Sequence, residues 1–299
     1  MMKRLISANT SDILNMTAEE LKQSIKASEG RVVLSENYAA RESFVGDISN
    51  SEIARACGAD LILLNGVDVF NPDLFAIECI EKNFVDELHR LVGAPIGVNL
   101  EPIDQNAEMT ESRFEIALGR QATVETIEEI ERRNFDFVCF TGNPGTGVTN
   151  EAIISTIKIA KEKFSGLIIA GKMHGAGVVG PIIDLKTVEA FIDAGADVIL
   201  VPAVGTVPGF DAEELKEIVQ FTHARDTLVM SAIGTSQEGS TPEIIAQMSI
   251  QNKICGVDIH HIGDAGYAGL APVENIFAIG QAIRGIRHTL SSCARSVNR

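Results

Sequence analysis

Apolar and polar positions alternate in blocks along the chain. Eight short apolar runs (32–35, 61–64, 96–100, 137–140, 167–170, 198–201, 228–231 and 254–259) each lead into a polar or glycine-rich segment and then a helix-patterned stretch. Strands that alternate with helical patterns predict βαβ units and a parallel sheet. Eight such units in about 250–300 residues predict an α/β fold, a (β/α)8 barrel, in which chemistry sits at the carboxyl ends of the strands.

Start signals place the helices. Thr17 with Glu20, Ser49 with Glu52, Asp211 with Glu214 and Ser240 with Glu243 have capping-box spacing. The first of these predicts an extra helix over 17–28 that plugs the amino-terminal mouth of the barrel. Asn71–Pro72 reads as an N-cap and first helical residue of a helix running to about Leu91, and Pro272 opens a last helix to about His288. A weak repeat, Gly-Ala-Asp before an apolar strand, occurs at 58–60 and 195–197. The expected organisation is one barrel domain over 1–299, with 1–30 as an amino-terminal extension and 291–299 as a loose tail.

Side chains alternate along a strand, so one parity faces the barrel interior. In the third run Ile96, Val98 and Leu100 form an outer set, which turns Asn99 and Glu101 inward. In the fifth, taking Leu167, Ile169 and Met173 as outer puts Lys172 and His174 inside. In the eighth, taking Val257 and Ile259 as outer puts Asp258 and His260 inside. The same reasoning offers Asn65, Thr141 and Ser231, while Glu36, Ser35 and Asn37 are not separated by parity. A lysine, two histidines and two carboxylates on one rim point to a shared active site, because buried charges are costly unless paired or used.

Lys172 would anchor an anion, form a Schiff base or act as a base, and His174 or His260 would carry a proton. The structural alternative for Lys172 is an ion pair with Glu101 or Asp258. Glu101, Asp258 and His260 also have the donor chemistry for a divalent metal, although no compact ligand spacing accompanies them. Four strand-to-helix segments are glycine-rich: 142–147, 171–177, 234–240 and 263–269. Glycine lets backbone amides converge on an anion. The loops after strands seven and eight, with Gly234, Thr235, Ser236, Gly263 and Gly266, are the expected phosphate-binding place.

Composition narrows the partners. A net charge of −16 opposes nucleic acid and anionic membranes, leaving a small anionic metabolite as the expected substrate. Five scattered cysteines without CxxC spacing read as reduced thiols. No secretory leader or long apolar run is visible, so a cytoplasmic location is expected. Homo-oligomerisation is common for such barrels, but no residue specifies it.

The whole pattern, including the segment KRLISANTSDILNMT (3–17), resembles an uncharacterised bacterial TIM-barrel family labelled phosphoenolpyruvate phosphonomutase-like. True phosphoenolpyruvate mutases and isocitrate lyases carry an acidic metal-binding cluster and a gating loop with a cysteine and a lysine. The segment GKMHGAG (171–177) offers Lys172 without a nearby cysteine. The leading expectation is therefore a lyase or isomerase moving a proton next to the carbonyl of a small, phosphorylated or carboxylate substrate. Lys172, His174, Glu101, Asp258 and His260 would be its reacting groups. A metal-dependent hydrolase or lyase and a non-catalytic metabolite-binding barrel are the alternatives.

Overall fold

A computed structural model describes residues 3–79, 82–179 and 182–299. Eight parallel strands close into one barrel in chain order. They are β1 (Val32–Tyr38), β2 (Leu61–Asn65), β3 (Ile96–Leu100), β4 (Phe137–Phe140), β5 (Leu167–Gly171), β6 (Val198–Pro202), β7 (Leu228–Ile233) and β8 (Ile259–Ile262). Closure pairs Val32 with Ile259 and Ser35 with Ile262. Before β1 come α1 (Thr10–Ile13) and α2 (Ala18–Lys26). The following helices are α3 (Asn50–Ala56), α4 (Phe84–Val92), α5 (Val124–Arg132), α6 (Asn150–Lys163), α7 (Leu185–Ala194), α8 (Ala212–His223), α9 (Pro242–Cys255) and α10 (Val273–Cys293). The fold predicted from the apolar blocks is the fold observed.

Two apolar layers hold it together. The outer layer joins one strand parity (Val33, Ile62, Val98, Ile168, Val229) to helix residues such as Leu88, Ile157 and Phe191. The inner layer joins the opposite parity (Leu34, Leu63, Phe137, Ile169, Met230) to Leu5, Ile6, Leu21 and Ile25. The amino-terminal segment thus closes the lower mouth, and the Thr17–Glu20 capping box starts α2 at the predicted place. Burying an aliphatic side chain such as Leu21 or Ile25 contributes about 1.5–3 kcal/mol. At the centre of the barrel Gly97 leaves room for the Phe137 ring, which a methyl group there would overlap.

The weak Gly-Ala-Asp repeat is part of a fourfold device at the base. Asp60, Asp136, Asp197 and Asp258 each stand just before an even-numbered strand. Their backbone amides donate to Val33 O, Ile96 O, Ile168 O and Val229 O at 2.8–3.0 Å. Their carboxylates accept from the amides of the same four residues at 2.9, 2.7, 3.0 and 2.8 Å. Each carboxylate also has a basic neighbour: Arg284, His89, Lys22 with Lys161, and His223. The four aspartates clasp β1 to β2, β3 to β4, β5 to β6 and β7 to β8.

Four expectations about boundaries differ from what is observed. The Ser240–Glu243 pair does not open α9, which starts at Pro242 with Thr241 as its N-cap. The apolar run at 254–259 begins inside α9, which continues to Cys255 and ends at left-handed Gly256, so β8 starts only at Ile259. Asn71–Pro72 does not open a helix: α4 starts at Phe84, capped by Asn83, and Ile80 and Glu81 of the predicted span lie outside the described residues. The tail is tied down, with Arg295 donating to Asn9 Oδ1 at 2.6 Å and Arg299 O accepting from Ser11 N at 2.9 Å. No helix among the described residues is long and apolar enough to cross a membrane.

Candidate functional site

The strand ends and βα loops surround a cavity of about 860 Å³ at the carboxyl-terminal mouth. Strand parity explains its lining. Glu36, Asn65, Asn99 and Thr141 continue the inward-facing parity of β1 to β4 and line the cavity. Met173 and His174 enter from the loop after β5. Gly234, Thr235, Ser236 and Glu238 come from the loop after β7, and Gly263, Asp264 and Gly266 from the loop after β8. The glycine-rich loops therefore do meet at one opening.

An amide network spans the mouth. Asn65 Nδ2 donates to Asp264 Oδ2 at 3.0 Å and to Asn143 Oδ1 at 3.1 Å. Asn65 Oδ1 accepts from Asn99 Nδ2 at 3.3 Å and from Asn143 Nδ2 at 3.1 Å. Asn143 also donates its backbone and side-chain amides to Glu101, both at 2.9 Å. Glu101 is 1% exposed and is neutralised by Arg120 at 2.9 Å, so it stiffens the wall behind the amides. Beside this network Glu36 Oε2 lies 3.0 Å from His261 Nε2, a pair buried at the β1–β8 seam.

The carboxylates of the mouth are electrostatically loaded. Burial, with the Glu36 charge in second place, pushes the Asp264 carboxyl up to about 7. Burial also raises Glu238, and burial lowers His174. His174 Nδ1 accepts from Ala176 N at 3.0 Å, which leaves the ring proton on Nε2 as a donor. Asn99 Oδ1, Thr141 Oγ1 and Glu238 Oε2 are buried without a hydrogen-bond partner among the described residues. Buried polar atoms are normally satisfied, so open ones around a cavity mark where a ligand's polar atoms fit.

The backbone adds strain at the same rim. Ala176, Thr235, Ser236 and Ala265 have φ of 52°, 56°, 73° and 53°. Left-handed non-glycine residues cost energy and cluster at functional sites.

Four residues expected at this rim lie elsewhere. Leu167 and Ile169 face the barrel interior, so Lys172 takes the outer parity and lines a different cavity, between α6 and α7. His261, not His260, is the inward histidine of β8. The His260 ring packs outward, its Nε2 lies 3.3 Å from Gly30 O, and burial depresses it to about 4. Asp258 belongs to the basal clasp, at the opposite end of the barrel. Ser231 shares the parity of outer-layer Val229 and Ile233. The ion pair foreseen for Lys172 is absent, since Glu101 holds Arg120 and Asp258 holds His223.

The suggested metal set of Glu101, Asp258 and His260 is therefore never assembled. Among the described residues no three His, Cys, Asp or Glu side chains are arranged to hold a metal ion. The acidic metal cluster that the resemblance implies does not fit these side chains, although Glu36, Glu238 and Asp264 share the mouth. Sequence reasoning missed Asn143, Glu238 and Asp264, which stand inside glycine-rich segments already singled out, and His261, hidden by the shifted strand.

Comparison with known proteins bears on the family and the fold. A family model described as "Domain of unknown function (DUF7916)" matches residues 6–299. No curated protein matches the sequence. Among solved structures, 2,3-dimethylmalate lyase, a PEP mutase/isocitrate lyase superfamily member, is similar at 15% identity with a TM-score of 0.50, covering 82% of this chain and 80% of that one. Oxaloacetate acetylhydrolase is similar at 15% identity and a TM-score of 0.49, over 84% and 82% of the two chains. At this identity the first likeness shows a shared fold.

Proposed function

The chain belongs to the DUF7916 family, and we propose that its barrel mouth is the active site of a lyase or isomerase that moves a proton beside the carbonyl of a small, oxygen-rich metabolite. The observation that carries this reading is the Asp264 carboxyl, pushed up to about 7 in a cavity it shares with Glu36. Two carboxyl groups held in different environments divide into an acid and a base. Glu36, positioned by His261, takes the proton from the carbon next to the carbonyl. The electron pair moves onto the carbonyl oxygen, which receives a proton from Asp264. In the lyase variant Glu36 instead takes a hydroxyl proton, the adjacent C–C bond breaks and the same oxygen collects the charge.

The remaining groups orient the substrate. His174 Nε2–H and Thr141 offer hydrogen bonds to its oxygens, and Asn99 Oδ1 accepts from a hydroxyl. Among the described residues no lysine or arginine lines the mouth. An anionic group on the substrate would therefore be met by the loop amides around Gly234, Thr235, Ser236, Gly263 and Gly266 rather than by a cation.

Proton NMR in D2O tests the reading. The full chain is incubated with a panel of small hydroxy acids, oxo acids and sugar phosphates, and deuterium exchange beside the carbonyl or bond cleavage is followed. Exchange or cleavage in the wild type that Asp264→Asn and Glu36→Gln each suppress at least a hundredfold is expected, within the range typical of general acid–base groups. Turnover that survives both substitutions, or none across the panel, would overturn it.

A further inference from the structure

Lys172 is the buried cation that the mouth does not use. The residue is only 4% exposed and lines a separate cavity of about 300 Å³. No hydrogen bond or ion pair engages its ammonium among the described residues. The cavity lies where two helices begin. Thr149 caps α6 through Ala152 N at 3.1 Å, and Asp184 caps α7 through Thr187 N at 2.7 Å. Both caps and their first turns line the same space, as does Lys186.

We propose that this cavity is a second small-molecule site, taking a carboxylate or phosphate group against the Lys172 ammonium and the amino-terminal turns of α6 and α7. Confining a lysine ammonium to a small cavity with little water and no protein partner is costly, and an oxyanion is the partner that removes the cost. Two helix amino termini add positive potential in the same place. The acidic groups facing the space are already engaged or solvated: the Asp184 carboxylate caps α7, and Glu151 is exposed on the first turn of α6. Burial lowers the Lys172 pKa despite the Glu151 charge, so that carboxylate does not serve as its full counter-ion. The volume suits a ligand of a few carbon atoms, at the lower end of small-molecule pockets.

The site is distinct from the mouth although it adjoins it in sequence. Lys172 and His174 lie two residues apart and line different cavities. The segment carrying both is stitched to the loop after β3, with Thr110 N donating to Gly177 O at 2.8 Å and Val179 N to Glu108 O at 3.2 Å.

Calorimetric titration of the full chain with inorganic phosphate and, separately, with acetate tests the proposal, with chloride holding the ionic strength constant. Saturable binding of one anion per chain to at least one of the two probes is expected, and the probe that binds identifies the headgroup. Lys172→Met should weaken it at least tenfold, and Asp264→Asn, in the mouth, should leave it unchanged. Should Lys172→Met fail to fold, the exposed Lys186→Gln carries the test through a several-fold weakening. No saturable binding below about 10 mM, binding indifferent to the lysine variants, or binding abolished by Asp264→Asn would overturn the proposal.

Discussion

Asn65 Nδ2 donates to Asp264 Oδ2 at 3.0 Å, joining the end of β2 to the loop after β8 across the barrel mouth. That bond favours the ionised carboxylate, yet burial and the charge of Glu36 oppose it and hold the group near neutrality. A proton on Asp264 is therefore in reach at ordinary pH, while the amide fixes where the carboxyl points.

The shift makes stability depend on pH. Below the ordinary value of 3.8 Asp264 is protonated in both folded and unfolded chains and carries no penalty. As pH rises towards 7 the unfolded chain releases the proton first, so stability falls; above about 7 the loss is complete. Asp264→Asn should therefore stabilise the protein by a few kcal/mol at about pH 8 and leave it little changed at about pH 3.5. Urea unfolding at the two pH values checks this, and an equal effect at both would contradict it.

At the base, Asp258→Ala removes the acceptor for Val229 N and for His223. A loss of roughly 3 kcal/mol is expected, because a buried amide is left unpaired, with ligand binding at the mouth unaffected. The hydrogen bond that His223 donates to Asp258 raises the His223 pKa above 6.5. Its stabilisation is full below that value and fades as pH rises through the raised one. His223→Gln should then cost more at about pH 6 than at about pH 9 in parallel denaturation curves.

Arg120→Met strands the Glu101 carboxylate, which is 1% exposed, without its cation. About 3 kcal/mol of destabilisation is expected. The double variant with Glu101→Gln should regain part of it, as a thermodynamic cycle would record.

Gly97→Ala places a methyl group against the Phe137 ring in the barrel interior. Overpacking should cost about 2 kcal/mol, and Phe137→Leu in the same chain should recover some of that loss.

Strand composition decided which parts of the site were legible. In β3 the inner parity is Gly97, Asn99 and Glu101 against Ile96, Val98 and Leu100, so direction followed from alternation alone. In β5 both parities are apolar, because inner Leu167 and Ile169 fill the barrel while Ile168 and Ala170 meet the helices. Alternation carries no information in such a strand, and Lys172 was turned to the wrong side. At β8 the apolar character of Ile254 and Cys255 belongs to the end of α9, and the early start exchanged His260 for His261. Asp258 misled for another reason: a carboxylate beside a strand has the same sequence signature whether it clasps the base or serves the mouth. The loops fared better, since glycine-rich segments could be placed on the rim without any choice of face.

The four basal aspartates divide the cylinder into two-stranded modules, each fastened by its own side chain. New termini opened between α4 and β3, or between α6 and β5, separate modules and leave all four fasteners intact. A cut between α3 and β2, or between α5 and β4, splits a module, so that its clasp must join residues from opposite ends of the chain. Circular permutants of this protein should accordingly fall into a tolerant and an intolerant class that alternate around the ring.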